Sequence, residues 1–346
     1  VDVVGGDRGQ AGLAGDAGEQ VPGDRLPCLV GAGGVVLDDG LGPALQRGDH
    51  GVEGEGGDFI GAFGGNDPAD NSGVLRYVRI AEGGLIAGPN NEVNGLTLQG
   101  VGHGTQLEFI QVHNNQDDGI EWFGGTVNLR YAVLTGNDDD DLDYDEGYKG
   151  NIQYAIIKKS DNAAPQGSND PRGIEANSSD SDYVPQTEAV IANVLLLGGA
   201  VNNAAGAEQP GMRLRGSVTT SIFNSAVNGF NTGCIRIDDS DTNGDTTVDS
   251  FSVVNLTNVI GNCTDGFYDR RNADSESNAG AATFSVDNAL AIAEAVGQLG
   301  AAPTVTAVAN GSSFQFDATN YIGAVAPGTA ANEAWWADWT LPGSVQ

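Results

Sequence analysis

The stretch LEFIQVHNNQDDGIEWFGGTVNLRYAVLTGNDDDDLDYDEGYKGNIQYAII, residues 107–157, states one short theme three times. LEFIQV (107–112), LRYAVL (129–134) and IQYAII (152–157) begin 22 and 23 residues apart, and LRYVRI (75–80) is an earlier copy. Recurrence at a period of about 20–50 residues marks a solenoid in which each copy builds one turn. Aligned, the copies stack Leu75, Leu107, Leu129 and Ile152 in one column and Tyr77, Phe109, Tyr131 and Tyr154 in another. Strand alternation predicts that both columns face the core, with Arg76, Glu108, Arg130 and Gln153 on the opposite face. Like residues stacked on successive coils are how a parallel β-solenoid fills its interior.

A second set of short strands interleaves with the first: LTLQG (96–100), IEWFG (120–124), LDYDEG (142–147), IEAN (174–177), MRLRG (212–216) and IRIDD (235–239). Its inward column is Leu96, Ile120, Leu142, Ile174, Met212 and Ile235. Later coils run through VIANVLLL, TTSIFNSAV and FSVVNLTNVI, with loops at 158–172 and 178–188 leaving the coil. The pattern therefore predicts an all-β fold, a right-handed parallel β-helix over 58–315, closed by a C-terminal cap at 316–346. One helix is expected at VDNALAIAEAVGQL (286–299), with Asp287 as N-cap and Gly300 as stop. Trp335, Trp336 and Trp339 form either an exposed sugar-stacking platform or, the arrangement favoured because terminal coils must hide their edges, a cap over the open end of the stack.

Residues 1–57 differ in kind, lacking Ser, Thr, Asn, Lys, Ile, Met, Phe, Tyr and Trp. They read either as a loose Gly-rich arm or as residues not written in the reading frame of the remainder; only LVGAGGVVLDDGLG looks like a strand pair. The whole chain of 346 residues carries 47 Asp plus Glu against 15 Lys plus Arg, a net charge of -32. Such a surface repels phosphate backbones, which excludes a nucleic-acid partner. With 39% hydrophobic residues a sizeable core is within reach. No apolar run is long enough to span a bilayer. Cys234 and Cys263 are either a disulfide, in an oxidising compartment, or two isolated thiols.

The runs DPADNSGVLRYVRI, DDGIEWFGG, NYIGAV and WWADWT resemble a family of secreted bacterial proteins, often lipoproteins, that form right-handed parallel β-helices. The resemblance covers about 66–346 and not 1–57. It implies export to the cell surface or medium rather than a particular chemistry.

The outward column of the short strands carries the most chemistry. It reads Thr97, Glu121, Asp143, Glu175, Arg213 and Arg236, followed two residues on by Gln99, Phe123, Asp145, Asn177, Arg215 and Asp238. Coils about 4.8 Å apart would pile Glu121, Asp143 and Glu175 on one another, and carboxylates that close need a cation or a shared proton. Asp117, Asp118, Asp138 to Asp141 and Glu146 crowd the adjoining turns. Three readings fit: turn-capping acids without a ligand, a Ca²⁺ or glycan-binding face, or an active site built from Glu121, Asp143, Asp145 and Glu175 with Arg213 or Arg215. In the last case a polysaccharide lyase would hold an acidic sugar through Ca²⁺ while an Arg takes the proton, and a glycoside hydrolase would use a carboxylate pair.

A second metal candidate is DDSDTNGDTTVDSFS (238–252). Asp241, Asn243, Asp245, the Thr247 carbonyl, Asp249 and Ser252 fall at the alternating positions of a Ca²⁺ loop, and a register from Asp239 is the alternative. Oxygen ligands suit Ca²⁺ over a transition metal. Only three histidines exist, and no nucleophile elbow or phosphate loop is present. The leading expectation is thus a secreted or surface-attached Ca²⁺-binding β-helix with a non-catalytic role, its partners a glycan, a surface component or further copies of itself. A lyase or hydrolase and a surface-layer or filament subunit are the alternatives.

Overall fold

The computed structural model describes residues 2–4, 28–31, 34–38, 66–84, 93–162, 170–178, 185–206, 208–238, 250–264, 268–270, 276–284 and 297–345. It is a parallel β-helix. One sheet stacks the long strands Val74–Ala81, Gln106–His113, Leu129–Thr135, Lys149–Lys158, Glu188–Leu197, Thr219–Phe223 with Ala226–Asn228, and Val253–Asn262, each parallel to the last. The other stacks the short strands Leu96–Gln99, Ile120–Phe123, Leu142–Asp145, Ile174–Ala176, Met212–Leu214 and Ile235–Ile237. Leu96, Ile120, Leu142, Ile174, Met212 and Ile235 are register partners and all fully buried, the column expected from the sequence.

Asp2–Val4 pairs parallel with Val74–Ala81, and Gly34–Asp38 pairs parallel with Leu96–Gln99 and antiparallel with Cys28–Gly31. The strand pair read in LVGAGGVVLDDGLG thus joins the short-strand sheet. Cys234 and Cys263 form a disulfide with a Cα–Cα distance of 5.5 Å. Among the described residues no helix is long and apolar enough to cross a membrane.

The aromatic column departs from the alternation rule. Leu129 and Leu134 are buried in the central core, but so is Ala132, three residues after Leu129, an odd step that strict alternation forbids. The extra step is absorbed at Tyr131, whose φ is 62°. Tyr77, Phe109 and Tyr154, at φ of 56°, 57° and 65°, do the same in their coils, and Asn193, Asn224 and Asn258 continue the column at 57°, 48° and 54°. Each long strand is therefore two short ones meeting at a left-handed corner, a conformation that costs about 1–2 kcal/mol for a residue with a Cβ and that Asn tolerates best. The corner turns the aromatic side chains away from the interior, and Tyr77 is 48% exposed. Outside, they stack: Tyr77 on Phe109 at 4.4 Å, Phe109 on Tyr131 at 4.5 Å, Tyr131 on Tyr154 at 4.9 Å, all nearly parallel.

The C-terminal segment covers this ladder laterally instead of closing the end of the stack. Trp339 meets Tyr77 and Phe109 edge-on at 5.9 and 5.8 Å, and Trp335 lies 5.3 Å from Tyr131. Trp336 joins Val133, Ile156, Leu195 and Ala226 in a second apolar cluster on the outer face of the long-strand sheet. Buried amides on that face tie the tail down: Asn193 donates to the Gly323 carbonyl at 3.1 Å, Asn224 to Thr319 Oγ1 at 2.9 Å, and Gln153 accepts from the Asp317 N–H at 2.9 Å. Most of the stretch expected as a helix, its residues 286–296, lies outside the described residues. At its expected end, Gly297–Gln298 is a strand paired with Tyr321–Ile322.

Candidate metal centre

The chemistry-bearing column sits on the short-strand sheet. In each strand the residues flanking the second position turn inward, Ile120 and Trp122 around Glu121, Leu142 and Tyr144 around Asp143, Ile174 and Ala176 around Glu175. Their burial forces the middle residue out. Register then aligns Thr97, Glu121, Asp143, Glu175, Arg213 and Arg236 on successive coils, so the column runs from acid to base. Asp145 stands one outward position further along, beside Phe123.

The turns leading into these strands are held by amides and bring more acids. Asn115 donates to the carbonyls of Val93 and Asp118 at 2.9 Å each, and Asn137 donates to Asp141 Oδ1 at 2.8 Å. The Asp140 N–H donates to Asp118 Oδ1 at 2.8 Å, stitching one turn to the next. Close stacking requires glycine at 119, since a Cβ there would lie 2.7 Å from the Asp141 carbonyl oxygen. The result is a chain of overlapping carboxylate triads: Asp117, Asp118 and Asp139; Asp118, Glu121 and Asp143; Asp140, Asp143 and Glu175. In each, one oxygen per residue lies within 4.8 Å of the others. Asn94, fully buried, donates to Glu121 Oε2.

Cations of the protein itself neutralise one end. Arg172 bridges Asp140 at 3.2 Å and Glu175 at 3.1 Å. Arg215 and Arg213 also reach Glu175, at 2.9 and 3.3 Å, while Arg213 and Arg236 share Asp238 at 2.9 and 2.7 Å. Lys159, buried, lies 3.0 Å from Asp141 and donates to the Asp139 carbonyl. The electrostatics follow this division. Burial tends to raise the Glu175 carboxyl, but Arg172, Arg215 and Arg213 together hold it below its ordinary value. Asp141 is pushed up by burial to about 6 despite Lys159. Burial also raises Asp140 well above its usual range, Arg172 notwithstanding. Asp118 is raised well above its usual range by burial and then by the charges of Asp117, Glu121, Asp143 and Asp139, every one of them acidic.

The middle triad offers only carboxylate oxygens as ligands, which suits a hard divalent cation and offers nothing to a soft metal. Two carboxylates a few ångströms apart also have the composition of a glycosidase acid and base. A basic Arg, as a lyase would need, is disfavoured: burial lowers the pKa of Arg215, but Glu175 outweighs it and the guanidinium is held more firmly protonated than usual.

A family model for a pectate-lyase like beta helix domain matches residues 33–340. The chain belongs to that family. The match reaches back into the Gly-rich segment, whose Gly34–Asp38 strand pairs with the rest of the β-helix. No curated protein and no solved structure matches the chain.

Of the residues singled out in the sequence, the β-helix brings Glu121, Asp143, Glu175, Arg213 and Arg215 together on one face, with Asp145 at its margin. Asp239, Asp241, Asn243, Asp245, Thr247 and Asp249 lie outside the described residues, and the buried Ser252 donates to the Asp238 carbonyl at 3.4 Å. Sequence reasoning passed over Asn94, Lys159 and Arg172. Arg172 carried a signal, standing three residues before Glu175 in PRGIEA; Lys159, just past a strand end, looked like any loop cation.

Proposed function

We propose that this protein is an extracellular or surface-attached β-helix that binds Ca²⁺ between Asp118, Glu121 and Asp143, with Asp117 and Asp139 adjacent, and uses that face for binding or assembly rather than catalysis. The observation that carries this reading is the position of Asp118, shared by two carboxylate triads and raised by burial and then by four acidic neighbours. A divalent cation relieves that repulsion and brings the oxygen ligands it prefers. The third triad is the poorer site because Arg172 already lies between Asp140 and Glu175. The loop at 239–252 is a second Ca²⁺ candidate through Asp241, Asn243, Asp245, Thr247, Asp249 and Ser252, or from Asp239 in the other register. Family membership, a chain without an apolar spanning helix among its described residues and a disulfide support an oxidising, extracellular setting.

The test is thermal unfolding of chelator-stripped protein with and without Ca²⁺, for wild type and for Asp118→Asn with Asp143→Asn. Ca²⁺ should raise the wild-type midpoint in proportion to the logarithm of its concentration, and the double variant should lose most of that rise. An equal rise in both proteins refutes this site and moves the cation to the loop.

A second reading, a lyase or hydrolase on the same face, is supported by the family and by the adjacency of Asp143 and Glu175 to Arg213 and Arg215. Release of reducing ends or of unsaturated uronates from a polysaccharide panel would establish it. A structural subunit of a surface layer or filament is a further possibility that ordered arrays under the electron microscope would establish.

A further inference from the structure

Between the outer face of the long-strand sheet and the tail that crosses it lies a groove of about 670 Å³. That is the size of a small-ligand site, about 300–1,000 Å³. Its walls are the turn at His103, the strand residues Gln106, Glu108 and Arg130, and the tail residues Ser312 and Phe314. We propose that this groove is a binding site for a short neutral saccharide, separate from the carboxylate face.

The walls are built before any ligand arrives. His103 N–H donates to the Pro68 carbonyl at 2.9 Å and to Thr126 Oγ1 at 3.0 Å, and Gly104 N–H donates to the Asp70 carbonyl at 2.9 Å. A Cβ at Gly104 would lie 2.6 Å from the Ala69 carbonyl oxygen, so this turn is pressed against its neighbour. On the facing wall Asn310 donates to the carbonyls of Thr126 and Lys149 at 3.0 and 2.9 Å, anchoring the tail just before Ser312. A wall fixed in advance has little ordering entropy left to lose on binding.

The charges in the groove are already spent within the protein. Arg130 is 3.0 Å from Asp317, donates to the Gln315 carbonyl and lies 4.6 Å from the centre of the Phe314 ring; Glu108 pairs with Arg76 at 2.5 Å. What they leave for a ligand is an amide, a hydroxyl, an imidazole and an aromatic ring, donors and acceptors mixed around one apolar surface. A molecule with many hydroxyls and one apolar face, such as a hexose, matches that set. An anion would find its natural partner, Arg130, engaged, on a chain whose net charge of -32 repels it.

Ligand-observed NMR followed by calorimetry, with the full chain and a set of neutral oligomers (maltotriose, cellotriose, laminaritriose, galactotriose) beside trigalacturonate, tests this. One neutral oligomer should bind saturably, unaffected by chelator. Phe314→Ala should weaken it about ten-fold, the order expected for one lost ring contact of about 1.4 kcal/mol. Gln106→Trp, at an exposed position that holds neither wall in place, should fill the groove and abolish binding while unfolding at the wild-type temperature. The proposal is overturned if no neutral oligomer binds saturably, if only trigalacturonate binds, or if Gln106→Trp leaves binding intact.

Discussion

Replacing Asp141 by Asn probes how the carboxylate face is held together. Asp141 and Lys159 are both fully buried, 3.0 Å apart, and Asp141 also accepts from Asn137. Folding moves the Asp141 midpoint from 3.8 to about 6, which at about 1.36 kcal/mol per unit is a cost of about 3 kcal/mol once the group is ionised. The ionised pair is therefore no net gain at neutral pH. Asp141→Asn puts a neutral side chain of nearly the same shape where the carboxyl is already neutral at pH 4, and so removes only the cost of ionising it. The sign with pH is also fixed. An acid whose folded midpoint is raised favours the folded state below its unfolded midpoint, and that contribution drains away as pH rises from about 4 to about 6. Asp118 and Asp140 slope the same way, Glu175 and Asp238 the opposite way, so the difference between wild type and variant isolates Asp141. The assay is denaturant unfolding of metal-free protein across pH 4–8. The two proteins should agree within about 1 kcal/mol at pH 4, where both side chains are neutral, and the variant should be the more stable by about 3 kcal/mol at pH 7. A variant less stable than wild type at pH 7, or a gap that does not change with pH, refutes the assignment.

Cys234→Ser with Cys263→Ser opens a loop of sequence separation 29 and should cost about 3–4 kcal/mol by the chain-entropy relation, read from unfolding midpoints. Tyr131→Ile places a β-branched residue at φ 62° and should destabilise by more than the about 1–2 kcal/mol of the left-handed corner alone, whereas Asn224→Gly, which relieves that corner, should lose only the side-chain hydrogen bonds to Thr319 and Asn258. Trp339→Ala should expose Tyr77 and Phe109, measured as increased amide exchange in the tail and in 75–80 with the interior strands 120–123 and 142–145 unchanged.

Much of the short-strand sheet was legible because its inward residues, Leu96 to Ile235, repeat a simple period and one face is buried. That alignment placed Glu121, Asp143, Glu175, Arg213 and Arg236 in one column. The long strands misled the alternation rule because aromatic residues rarely adopt positive φ, and nothing local marks Tyr131 as a corner. Only the asparagines at 193, 224 and 258, aligned in the same column, carried a hint. The tail was misplaced for the same reason: with the aromatic column assigned to the core, no outer surface was left for three tryptophans to cover. Arg172 and Lys159 neutralise acids that lie 32 and 18 residues away in sequence, a long-range pairing that the coil register decides and composition does not.

The central claim, a cation held by Asp118, Glu121 and Asp143, is tested most directly by calorimetric titration of Ca²⁺ into chelator-stripped wild type, Asp118→Asn with Asp143→Asn, and Asp241→Asn with Asp245→Asn. Saturable binding that survives the loop substitutions and disappears from the Asp118 and Asp143 variant is the predicted result. An isotherm unchanged by the substitutions at Asp118 and Asp143 would contradict it.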